Sequence, residues 1–427
     1  MRRLHRCGAR DEAVAHPFNF TVNMRKLIFT IAVTLLAITA WKHLAIVRFF
    51  RRPRPAPRRQ VGLVSILQPI LSGDPTLAQT LGHNLATPCT FPREFIWLVD
   101  EDDATGQQIC GELCAAHPNA DVQVHLLPRA PQGQNPKTFK LVRGLEHATG
   151  DVICVLDDDT MLPPGGLELC LPYLDEQAAG LVFGLPYQVN FGNLWSSLVA
   201  AFVNSSSLLT YIPYTTLHEP VTINGMFYAL RRETLAAIGG FAGLEPILAD
   251  DFAIAQRVRT HGYRLVQTPL CHAISTHVAG PRRYLSLIQR WFIFPRESIM
   301  RHLPRHEQAL VYGLALFPAL APLLLLIGLV FWPALPLALL LPVYLGYHFA
   351  FTWQFNQRYF NSATPRSRSW LAPVLQIIFP LQLVAALILP QRIVWRGHVM
   401  QVEKGGGFRF VERRSNTSPT STGTNFQ

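Results

Sequence analysis

The apolar run Asp151-Val152-Ile153-Cys154-Val155-Leu156 ends in three consecutive carboxylates, Asp157-Asp158-Asp159. A short unbroken apolar run reads as a strand covered on both faces, the environment of a parallel sheet. Carboxylates at the C-terminal end of such a strand stand where open α/β sheets bind their ligands. Asp157 and Asp159, alternate residues, offer hard oxygen ligands for one divalent ion, and that ion can hold a diphosphate. A solvated acidic turn has the same sequence. The triplet gains weight from a second acidic pair, Asp250-Asp251, and from Gln289-Arg290-Trp291 further along.

Strand and helix signals alternate around this segment. Val61–Leu67 reads as a first strand, and Gly73-Asp74-Pro75 opens a helix through Leu77, Leu81 and Leu85. Phe95–Val99 is a second strand, ending in Asp100-Glu101-Asp102-Asp103. Val122–Leu127 is a third, Lys137–His147 a helix and Asp151–Leu156 the fourth strand. The predicted fold class is α/β, a doubly wound, mostly parallel sheet, with carboxylates closing two strands on one edge. Leu181–Tyr187 and Met226–Arg232 read as further strands. The stretch Phe191–Thr210 suits either a helix against lipid, where an amphiphilic acceptor enters, or a buried core helix. Asp250 and Asp251 open a helix, where one carboxylate is an ordinary dipole partner and an adjacent pair is less ordinary. No GxxxxGK[ST] and no GxGxxG after a strand occurs, which argues against a kinase, an ATPase or a dinucleotide oxidoreductase. A metal-dependent nucleotide-sugar site needs neither motif.

The charge is divided by region. The chain of 427 residues carries +11, yet Val61–Gly280 holds 10 Lys+Arg against 21 Asp+Glu, a net of −11, so the flanks carry +22. Cations beside apolar spans suit an anionic membrane surface. A nucleic-acid groove needs its cations on the folded core, so nucleic acid is not an expected partner. Residues 1–26 form an N-terminal tail and 27–47 a transmembrane helix. An arginine- and proline-rich linker over 48–60 follows and places the core, 61–300, in the cytoplasm by the positive-inside rule. Tyr284–Phe294 closes that domain as an interfacial amphipathic helix. Residues 301–390 read as a transmembrane hairpin, Leu310–Phe331 and Leu335–Trp353, plus a Pro-interrupted re-entrant or interfacial segment, Trp370–Leu389. A basic cytoplasmic tail with a disordered end occupies 391–427. The seven cysteines form no CxxC pair and no zinc spacing, which fits buried thiols in a reducing compartment.

In this order, several motifs resemble ceramide glucosyltransferase and its bacterial relatives, membrane-bound inverting glycosyltransferases of the GT-A type. They are Gly73-Asp74-Pro75, Asp100, Asn135-Pro136-Lys137, Asp157, Phe183–Tyr187, Asn224-Gly225-Met226, Asp250-Asp251 and Arg290-Trp291. Trp395-Arg396 and Gly405-Gly406 in the tail look similar. The resemblance implies a UDP-sugar donor, with Asp100 at its uracil-ribose end. Mg²⁺ or Mn²⁺ would sit on Asp157 and Asp159, with Lys137 adding positive charge nearby. Asp251, beside Asp250, would be the general base for an acceptor hydroxyl, and Arg290 and Trp291 would close over diphosphate and acceptor. It further implies transfer of one sugar, glucose first among candidates, to a ceramide-like membrane lipid in the bilayer, giving a β-glycolipid. A hopanoid or diacylglycerol acceptor with another UDP-sugar, and a processive polysaccharide synthase, are the alternatives. The family's closing motif places Gln or Arg three residues before Arg-Trp, where this chain has Leu287. That departure argues against polymer extrusion, and the Asp157–Asp159 triplet also differs from the pattern common in relatives.

Overall fold

The computed structural model describes residues 17–388 and 391–414. The N-terminal tail up to residue 16 and the expected disordered end from residue 415 lie outside the described residues. Eight strands form the main sheet: β1 (Val64–Ile70), β2 (Arg93–Asp100), β3 (Val122–Leu127), β4 (Val152–Leu156), β5 (Thr160–Met161), β6 (Ala179–Gln188), β7 (Phe227–Arg231) and β8 (Arg264–Ile274). Their order is β3-β2-β1-β4-β7-β6-β8-β5. The pairs among β3, β2, β1 and β4 are parallel, β7 runs antiparallel to both β4 and β6, and β6 pairs β8 in parallel.

Side chains alternate across a strand, and here both faces are apolar. Val64, Ile66, Phe95, Trp97, Val152 and Cys154 enter one core cluster, while Leu67, Ile96, Leu98, Ile153 and Val155 enter the other. Covering both faces is what makes the sheet doubly wound, and it explains why these strands read as unbroken apolar runs. Strand β8 gave no such signal, because Pro269 interrupts it. The ladder absorbs this by a register shift, with Phe183 opposite Gln267 and Leu185 already opposite Cys271, as expected for a proline that cannot donate to its neighbour.

Among the described residues, four helices are long and apolar enough to cross a membrane: Thr21–Phe50, Arg305–Phe331, Leu335–Tyr359 and Arg366–Ala385. The first three pack on one another through Ile28, Ala32, Leu325, Leu337 and Tyr344. The first continues well past both ends of the span expected at 27–47, and the fourth includes most of the stretch expected to be re-entrant.

The stretch read as a basic tail folds into a three-stranded antiparallel sheet, β9 (Arg392–Trp395), β10 (His398–Val402) and β11 (Phe408–Glu412). Its inner residues Ile393, Met400, Val402, Phe408 and Phe410 pack on Leu248 and Ile293. The β9–β10 turn is Arg396-Gly397, both at positive φ, 51° and 88°, the two-residue hairpin geometry that normally avoids a side chain at its first position. Arg396 is held there by a two-pronged pair with Asp158, Nη1 lying 2.9 Å from Oδ2. Asp158 is 3% exposed, and removing one partner of a buried pair costs about 3–5 kcal/mol. Arg396→Met should therefore free the C-terminal sheet, releasing a C-terminal tryptic fragment at least ~10-fold faster from the detergent-solubilised protein. Cleavage at the wild-type rate would show that the apolar contacts alone hold it.

Candidate active site

The site forms where the parallel half of the sheet meets the chain that follows it. Asp157 leaves the end of β4, its backbone N–H donating to Met226 O at 2.9 Å. Across from it, Asn135 caps the helix Pro136–Leu145, its side chain accepting the Lys137 N–H at 3.0 Å. The Asn135 amide also donates to Leu248 O at 3.0 Å, tying that helix start to the loop that leads into Asp250. Pro136 suits the first helical position, and Lys137 is thus presented from the first turn.

The Lys137 ammonium lies 2.7 Å from Asp157 Oδ1 and 3.1 Å from Asp250 Oδ2, and donates to Gly225 O at 2.8 Å. Burial alone would lower its pKa, but Asp157 and Asp250 outweigh burial and hold it well above its usual range. Gly225 is closely approached: a Cβ there would stand 3.1 Å from Asp251 Cβ and 3.4 Å from Lys137 Nζ, so those side chains would have to give by a few tenths of an ångström.

Asp250 and Asp251 form the first turn of the helix Asp250–Thr260, where the dipole favours negative charge. Asp251 Oδ1 accepts the Phe252 N–H at 2.7 Å. Burial nevertheless pushes the Asp251 carboxyl up to about 7, with Asp250 adding to the shift and the Phe252 N–H and Lys137 opposing it. The pair is thus differentiated: Asp250 is neutralised by Lys137, whereas Asp251 is a carboxyl able to take up and release a proton near neutrality.

In the acidic triplet the middle residue is occupied. Asp158 accepts the Leu71 N–H at 2.9 Å and pairs with Arg396, while Asp157 is paired with Lys137 and Asp159 Oδ2 lies 3.9 Å from Arg396 Nη2. Burial pushes Asp159 up to about 7; Arg396 opposes this, and the charges of Asp157, Asp158 and Asp74 reinforce it. Carboxylate oxygens set this close together are a donor set suited to a hard divalent cation. Arg290 stands beside this cluster. Burial, then Arg283 and Arg396, push its pKa down to about 9, against the pull of Asp159 and Asp157, and a guanidinium remains charged there at neutral pH. The site is therefore a set of half-buried carboxylates faced by Lys137 and a group of guanidinia.

One cavity of about 600 Å³ is lined by Lys137, Asp157, Asp250, Asp251, Arg290 and Trp291 together. Trp291 is fixed by stacking on Phe202, ring centres 5.6 Å apart. Asp100 is elsewhere. It pairs with Lys140 Nζ at 3.0 Å and lines a small crevice with Arg129, His398 and Arg414 under the C-terminal sheet. Burial raises the Asp100 pKa, and Lys140 opposes it.

Three contributors were given no role at the site in the motif reading. Arg396 sat in a presumed tail. Arg283, seven residues and two helical turns before Arg290, brings a cation to the helix that has Leu287 where the family has Gln or Arg; a count at helical spacing would have found it. Lys42, in the first membrane helix, lines the same cavity. Lys137→Met should leave Asp157 and Asp250 without their shared cation and lower the melting temperature. The loss should be on the order of 1–3 kcal/mol, below the cost of breaking a fully buried pair because the carboxylates are partly exposed, read by a thermal melt in detergent. An unshifted melt would show that the bridge contributes nothing to holding the two halves.

The family model for Glycosyl transferase family 21 matches residues 27–408. Among curated proteins, the probable glycosyltransferase YdaM of Bacillus subtilis (strain 168) is 22% identical over 257 residues, covering 57% of this chain, and the chain spans 60% of that protein's length. Among solved structures, mannosyltransferase PcManGT from Pyrobaculum calidifontis, in complex with GDP-Man and Mn²⁺, is 18% identical. It covers 82% of this chain and 99% of its own, at a TM-score of 0.47. GalNAc-T7 with UDP, GalNAc and Mn²⁺ is 15% identical, covering 59% of this chain and 54% of its own, at a TM-score of 0.41. The family match runs from the first membrane helix through the main sheet to the start of β11, and this chain belongs to Glycosyl transferase family 21.

Proposed function

We propose that the protein moves a single sugar, glucose in the first instance, from a UDP-sugar to the hydroxyl of a ceramide-like membrane lipid, with inversion at the anomeric carbon. The observation that carries this reading is the extent of the cavity. The same 600 Å³ space that holds Asp157 and Asp251 is walled at its far end by Thr39, Lys42, Tyr344 and His348 of the membrane helices. Its lining is largely apolar between those ends. A water-soluble acceptor needs no such path, whereas a lipid with a polar head and a chain to bury fills it.

Asp157 and Asp159 would hold Mg²⁺ or Mn²⁺, and that ion would neutralise the diphosphate as it departs. Arg290, with Arg283 and Arg396 behind it, places further positive charge beside the triplet, so the departing UDP meets fixed cations. Lys137 keeps Asp157 and Asp250 in place. Asp251 accepts the proton of the acceptor hydroxyl as its oxygen attacks the anomeric carbon. One displacement of this kind turns an α-linked donor into a β-glycoside. Asp100, in the crevice beside β2, remains the candidate for the uracil-ribose end.

The catalytic domain is proposed to lie in the cytoplasm. The pairing of Arg396 with Asp158 keeps residues 391–414 beside that domain, so an even number of the three candidate spans between them can cross. This parity favours two crossings and a re-entrant or interfacial segment over Leu371–Ile388.

Asp251→Asn should lower transfer to lipid by about 10²–10⁴-fold while leaving UDP-sugar affinity within a few-fold. The assay is labelled UDP-glucose and ceramide in membranes, with lipid extraction and mass spectrometry. Full activity in this variant would reject Asp251 as the base. Only the ionised form of Asp251 can accept the proton, so below its pKa of about 7 the wild-type rate should fall about tenfold per pH unit, and above it the rate should level off. A rate that rises on acidification would contradict this role.

A further inference from the structure

A second group of ligating side chains lies away from the carboxylate site, where the catalytic domain meets the first of the paired membrane helices. We propose that His218, His306 and Glu307 form a transition-metal site, suited to Zn²⁺, that fastens the cavity-lining helix Leu194–Thr215 to the start of the helix Arg305–Val311. One ligand atom from each residue lies within 4.8 Å of the other two. His218 Nδ1 is 2.9 Å from Glu219 O. With the proton on that nitrogen, Nε2 keeps its lone pair, and it lies 3.8 Å from Glu307 Oε1. Fixing one ring nitrogen on a backbone carbonyl is how a ligating histidine is ordinarily oriented.

Glu307 is the unusual member. It is 3% exposed, and Oε2 is buried with no hydrogen-bond partner among the described residues. A buried carboxylate oxygen left unsatisfied is costly, and a cation would satisfy it. Oε1 accepts from Arg259 Nη2 at 2.7 Å, the outer support that a ligating carboxylate usually has. His306 is exposed, its ring centre 6.0 Å from that of His218. Two imidazoles and one carboxylate make a donor set that favours Zn²⁺ over Mg²⁺ or Mn²⁺, which prefer oxygen alone. The site is thus chemically distinct from the acidic one at Asp157 and Asp159.

The position suggests the consequence. Tyr214 and Thr215, just before His218, and Val311, just after Glu307, line the large cavity. A metal bridging these two elements would set how far its wall can open.

The test uses full-length protein in detergent, stripped with EDTA, returned to excess Mg²⁺ and titrated with ZnCl₂, with bound zinc measured by mass spectrometry. About one zinc per chain should bind against the Mg²⁺, and Asp157→Asn should bind it equally well. His306→Ala, a surface change, and His218→Ala should each weaken binding at least ~10-fold. Zinc should raise the melting temperature of the wild type and not of His306→Ala. No zinc retained against Mg²⁺, equal binding by both histidine variants, or loss of binding in Asp157→Asn would each overturn the proposal.

Discussion

The contact on which the site depends is the Lys137 ammonium, held between Asp157 at 2.7 Å and Asp250 at 3.1 Å. Asp157 belongs to the parallel half of the sheet and Asp250 to the helix beyond β7. These residues are far apart in sequence, and one cation joins them. It also breaks their symmetry with Asp251, which has no such direct partner and is left with a proton affinity near neutrality. The two roles proposed above, donor binding and proton acceptance, rest on how one positive charge is shared.

The second constraint is continuity with the membrane helices. Lys42 donates to Leu314 O at 2.6 Å, and Tyr344 donates to Pro318 O at 2.8 Å, so polar side chains within apolar spans are satisfied by carbonyls of the neighbouring membrane segment. Such groups are expensive in lipid and mark function where they face a cavity. Asp157, Asp250 and Asp251 and these groups of the apolar helices line one space, the basis of the proposed lipid acceptor.

Much of this was legible in the residues. Alternating strand and helix signals anticipated the sheet, because strands buried on both faces must be apolar throughout. The Asp157 strand end, Lys137 after Asn135-Pro136, and the Asp250-Asp251 pair are found around one cavity. Tertiary partners decided the rest. Asp158 looked equivalent to its neighbours until Arg396, 238 residues later, claimed it. Strands β9 to β11 carried a signal, short alternating runs punctuated by Arg396-Gly397 and Gly405-Gly406-Gly407, but their high charge read as a solvated tail. Strand β8 was masked by Pro269. Asp100 ends its strand as expected, yet Lys140 and the C-terminal sheet enclose it in a separate crevice.

In the proposed reaction, carboxylates from separate parts of the chain act on one donor at the mouth of a membrane-reaching cavity. The decisive test is an experimental structure with UDP and Mn²⁺, the metal located by its anomalous signal. The expected result is the ion on carboxylate oxygens of Asp157 or Asp159, with the diphosphate extending toward Arg290. An ion seated in the Asp100 crevice, or a diphosphate remote from Arg290 and Asp251, would contradict it.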